Sequence, residues 1–151
     1  MNGAHANHAM TYAKKDKLAR YAQIAGSAEA AYASPHRLVQ MLMEAALERI
    51  AVASGQASRR EFEAKGKSIT WAISIINGLR GSLNLEEGGD IARNLDDLYD
   101  YMVRRLLDAN AASDAATLQE VAGLLGEVKS GWDAIPPDLH HGPAVRQAMA
   151  G

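Results

Sequence analysis

Between His36 and Ile135 the chain runs for 100 residues without a proline, and Pro35, Pro136, Pro137 and Pro143 are the only four it has. A span of that length, poor in β-branched residues, argues against a sandwich or barrel, whose many turns recruit proline and whose strands recruit valine and isoleucine. The 151 residues make one domain's length, and 29 of them are alanine, the strongest helix former. An all-α domain is the expectation.

Helix signals divide the chain into three parts. Residues 1–33 hold eleven alanines but few large aliphatics, so they cannot build a core of their own and read as a flexible N-terminal arm. Tyr12, Tyr21 and Tyr32 lie in it, either as rings that dock on a partner or as isolated surface tyrosines on a frayed helix. Residues 34–135 read as the folded body. Ser34-Pro35 opens a first helix, because a serine oxygen caps free amides and proline at the first position wastes no N–H. Leu38, Leu42 and Ala45 then carry its stripe to a stop near Gly55. Ser58 with Glu61 has the form of a capping box for a second helix carrying Phe62, Ile69, Ile73, Ile76 and Leu83. Asp90 is the expected cap of a third, with Ile91, Leu95, Leu98, Met102 and Ala109 as its central stripe. Ser113 is the expected cap of a fourth, in which Leu118, Val121, Leu125, Val128, Trp132 and Ile135 keep a three-and-four spacing until Pro136-Pro137. Connections this short force antiparallel neighbours, giving an up-down four-helix bundle. Residues 136–151 read as a polar tail.

Composition removes several function classes. There is no cysteine, hence no disulfide framework or thiolate chemistry, and a formal charge of −2 gives no net pull toward nucleic acid. The apolar runs are too short to span a membrane and the first 33 residues lack a signal-peptide pattern, so a soluble, cytoplasmic protein without stable membrane insertion is expected. His5, His8, His140 and His141 fall in the terminal segments and His36 in the first turn of a helix, none on an expected core face. No Glu-x-x-His pair, phosphate loop or nucleophile elbow occurs, so no enzyme, cofactor or metal site is expected.

Two helices carry more apolar surface than a small bundle requires. On the second, Trp71, Ile75 and Leu79 widen the arc to about 200°; on the third, Tyr99, Leu106 and Tyr101 help widen it to about 240°. Such an excess is either a groove for an amphipathic or extended apolar partner, or the mark of a central helix touching several neighbours.

Four blocks in order carry a resemblance: Ser34-Pro35-His36-Arg37-Leu38-Val39-Gln40-Met41-Leu42, then Gly88-Gly89-Asp90-Ile91-Ala92-Arg93-Asn94-Leu95, then Leu98-Tyr99-Asp100-Tyr101-Met102-Val103-Arg104-Arg105-Leu106, and Gly123-Leu124-Leu125 followed by Trp132. From about Tyr12 to Trp132 the chain resembles the FliS family of flagellar secretion chaperones. The resemblance implies a small antiparallel helical bundle that binds newly made flagellin through its disordered C-terminal segment and keeps it from polymerising before secretion. The flagellar export gate is a further expected partner, a role the resemblance permits. A helical adaptor for a flagellar regulator or export component, using the same groove, is the alternative. The expected partner-binding residues are Tyr12 and Tyr21 of the arm, Trp71, Ile75 and Leu79 of the second helix, and Asn94, Leu95, Leu98, Tyr99, Tyr101 and Met102 of the third.

Overall fold

In the computed structural model, the described residues are Glu29 and 32–139. They form α1 (Pro35–Ser58), α2 (Phe62–Gly81), α3 (Gly89–Ala112) and α4 (Ala115–Asp133), followed by one 3₁₀ turn at Pro137–Leu139 and no strand among the described residues. The hydroxyl of Ser34 accepts the Arg37 amide at 3.2 Å with Pro35 at the first position, as expected for α1.

The three other expected caps are corrected. Ser58 is the last residue of α1 rather than a cap for α2, and only Arg59–Glu61 separate the two helices. Reversing the chain in so few residues puts Arg60 in the left-handed region (φ 61°), and the Glu61 carboxylate, turned away from the helix start, accepts from Arg59 Nε at 2.7 Å. Asp90 lies inside α3, which opens on Gly89 at φ 56°, where only glycine is unstrained. Ser113 ends α3 in the left-handed region (φ 52°), and Asp114 caps α4, its carboxylate accepting from Ala116 and Thr117 amides at 2.9 and 3.4 Å. A two-residue connection leaves one residue to reverse the chain and one to cap it.

Each helix packs on two others: α1 on α2 and α4, α3 on α2 and α4. Gln56 of late α1 accepts from Ser68 of early α2; Arg80 of late α2 reaches Asp96 and Asp100 of early α3. Arg105 of late α3 meets Glu120 of early α4, and Gln40 of early α1 donates to Asp133 at the end of α4. Every pair joins the end of one helix to the beginning of its neighbour, so adjacent helices run in opposite directions around a closed ring. This is the expected four-helix bundle.

The core is filled by Leu38, Leu42, Ala46 and Ile50 of α1, Ile69, Ile76 and Leu79 of α2, Met102 and Leu106 of α3, and Leu118, Val121 and Leu125 of α4, all 2% exposed or less. Two expected stripe residues are not in it: Phe62 and Ile91 are exposed. On α3 the true axis is Ala92, Tyr99, Met102, Leu106 and Ala109. The small Ala92 faces in and Ile91 swings out, an alternative that an arc wider than the core face leaves open. Buried Lys65 was not anticipated. Its ammonium donates to the Asn110 carbonyl (2.9 Å) and to Ser113 Oγ (2.6 Å), placing a cation on the free carbonyl end of α3.

Candidate functional site

Where α2 and α4 end and α1 and α3 begin, the bundle opens into an apolar cleft of about 320 Å³. Val39 and Met43 of α1, Leu79 of α2, Ser82, Tyr99 of α3 and Trp132 of α4 are its buried residues; Leu83, Leu95, Val128 and Ile135 line it half-buried. At the mouth stand Ile91, 64% exposed, and Gly131, where an added Cβ would meet no atom within 4 Å. Leu85, in the loop between α2 and α3, is a second exposed aliphatic, and Asn84 Oδ1 holds that loop by accepting the Glu86 and Glu87 amides. An exposed isoleucine beside an open apolar hollow is a surface with something to gain from being covered.

One wall is fixed by Trp132. Its indole N–H donates to the His36 carbonyl at 2.9 Å, while His36 Nε2–H donates to the Trp132 carbonyl at 2.8 Å. The expectation that no histidine takes a core position is therefore corrected, since His36 is 1% exposed. Position in the first turn of a helix does not decide burial when another helix end crosses above it.

The expected site residues divide. Leu79, Leu95 and Tyr99 come together in the cleft, and burial pushes the Tyr99 phenol far above its ordinary range, so it stays neutral. Leu98 is half-buried against the core and Asn94 is exposed. Ile75 and Met102 lie in the core itself, at 3% and 0% exposure. Their breadth of apolar arc is the packing of a helix against two neighbours, the structural alternative that the sequence left open. Trp71 lies elsewhere, half-buried with the Arg49 guanidinium 5.5 Å over its ring, beside a shallow hollow bounded by Gly66, Thr70 and Asn110. Tyr101 sits on the α3–α4 seam, where its hydroxyl donates to Glu120 at 2.8 Å. Hydrogen bonds from Arg105 and then from Tyr101 hold the Glu120 carboxyl below its usual range. Tyr12 and Tyr21 lie outside the described residues. Val39, Met43, Ile91, Val128 and Trp132 were missed as site residues; the one available signal was Ile91 next to Ala92, two apolar neighbours of which only one can face a core.

Among the described residues no group of three or more potential ligands could hold a metal ion, and no helix is long and apolar enough to cross a membrane. Among the described residues, fold and cleft together define a four-helix bundle with an open apolar hollow at one end. The family model described as Flagellar protein FliS matches residues 17–139. The chain is 49% identical to the flagellar secretion chaperone FliSB of Pseudomonas aeruginosa over 124 residues, covering 82% of this chain and 98% of that one. It is 39% identical to the flagellar secretion chaperone FliS of Vibrio cholerae (84% and 93% covered) and 43% identical to that of Salmonella typhimurium (78% and 87%). The chain belongs to the FliS family, a family of chaperones rather than of enzymes.

Proposed function

We propose that this protein is a cytoplasmic export chaperone that binds the disordered C-terminal segment of flagellin, blocks its premature polymerisation and keeps it competent for flagellar type III secretion at the export gate. The observation that carries the reading is the open apolar cleft with Ile91 exposed at its lip, on a chain whose relatives are flagellar secretion chaperones. A segment that is disordered when free pays an ordering cost on binding, so many modest apolar contacts can hold it and still release it. Each large aliphatic it buries contributes roughly 1.5–3 kcal/mol before that cost. Ile91, Leu95 and Leu98 offer the reachable contacts on α3, with Asn94 and Tyr101 flanking them; Tyr99, Leu79, Ile75 and Met102 act from beneath by shaping the floor. Trp71 serves a continuation of the segment along α2, and Tyr12 and Tyr21 are proposed contacts from the arm.

The test is calorimetric titration of the full chain with flagellin and with flagellin lacking its last few dozen residues. Binding is expected to disappear with the truncation. Equal affinity for both forms would sink the reading.

A further inference from the structure

Among the described residues the cleft is walled by apolar side chains, Ser82 and a single charged group, Glu127 of α4, one turn before Gly131. Glu127 is exposed, and among the described residues it makes no hydrogen bond or ion pair. Lys129, two residues further along α4, is committed to Asp133 at 2.6 Å and to Glu44 at 3.8 Å, and Arg80 of α2 and Arg93 of α3 pair with Asp96 and Asp100 and with Asp90. Glu86 and Glu87, exposed in the loop between α2 and α3 beside Leu83 of the cleft wall, add negative charge on that side of the bundle.

A carboxylate in this position is costly to cover with a purely apolar or an acidic segment, because its water is partly stripped and nothing replaces it. A segment with a cation at the right place converts that penalty into an ion pair over a poorly polarisable floor, where it is worth more than in open water. Specificity then comes as much from what is rejected as from what is held. We propose that Glu127 is a specificity-determining residue that selects a partner segment carrying a lysine or arginine next to its apolar anchors.

The inference rests on the cleft being the flagellin-tail site, and its test separates the two. Titrate full-length flagellin into the wild-type chain, Glu127→Gln, Glu127→Lys and the control Glu48→Lys, which makes the same change of charge at an exposed α1 position that does not line the cleft. Glu127→Gln is expected to weaken binding about threefold and Glu127→Lys about tenfold, with Glu48→Lys within about twofold of wild type. Raising ionic strength from about 0.05 to about 0.3 M should shrink the gap between wild type and Glu127→Lys. Flagellin in which one basic tail residue is changed to glutamate should bind Glu127→Lys better than wild type. Equal effects of Glu127→Lys and Glu48→Lys, or no rescue by any tail reversal, would overturn the charge proposal while leaving tail binding intact. Wild-type protein that binds tail-less flagellin equally well would instead overturn the tail reading, and this proposal with it.

Discussion

His36 and Trp132, 96 residues apart, hold each other reciprocally: each ring donates a hydrogen bond to the other's backbone carbonyl, and the rings stack with centroids 5.0 Å apart and planes 8° from parallel. The pair fastens the first turn of α1 to the last turn of α4 and sets the wall of the cleft. His36→Ala removes the stack and one of the two bonds, while the Trp132 carbonyl keeps its bond from the Ile135 amide at 3.2 Å, a loss of about 1–3 kcal/mol. Denaturant midpoints measure it, and the emission of Trp132 should shift as its surroundings open to water.

Gly131→Leu tests the cleft without touching the core. A side chain at position 131 begins in open space, and leucine is the better helix former, so thermal stability should hold or rise. The new side chain occupies the mouth. Flagellin affinity is expected to fall tenfold or more, on the order of 1.4 kcal/mol.

Ile75→Asp reports on something else. With 3% of Ile75 exposed, a carboxylate there has no water and no cation, and the bundle should lose about 3–5 kcal/mol or fail to fold. Loss of the cooperative transition in circular dichroism is the expected outcome; retained stability would place Ile75 on the surface.

Acid should weaken the protein through the carboxylates of α4 and its cap, Glu120 described above together with Asp114 and Asp133. The Thr117 hydroxyl above all lowers the pKa of Asp114, and Lys129 that of Asp133. A folded-state pKa below the unfolded value means stabilisation that is fully present above the unfolded pKa, about 3.9, and is lost as pH falls through the depressed folded one. Melting temperature should therefore decline below about pH 4, and Asp114→Asn should flatten that decline.

Helix number, order and antiparallel succession were legible because each rests on local chemistry: Ser34-Pro35 at one end, Pro136-Pro137 at the other, and a 3.6-residue period between. The caps at Ser58, Asp90 and Ser113 were misread because a cap is defined by which residue turns the chain, and tight connections move that job by one or two positions. The cleft was half legible. Leu95, Leu79 and Tyr99 fall in it, but Ile75 and Met102 have the same apolar character and periodicity and lie in the core. Burial on a helix with a wide apolar arc is decided by neighbours that only the fold supplies, as His36 under Trp132 also shows.

The ring of helices closes where the chain enters and leaves it. Because Ser34 and Ile135 flank the His36–Trp132 contact, a short linker could splice the two ends of the body and a new opening be cut at Arg59–Glu61, turning the topology without redrawing a single core contact. In such a permutant the cleft's wall would be covalently continuous, and its rigidity would no longer depend on two rings finding each other across the length of the chain.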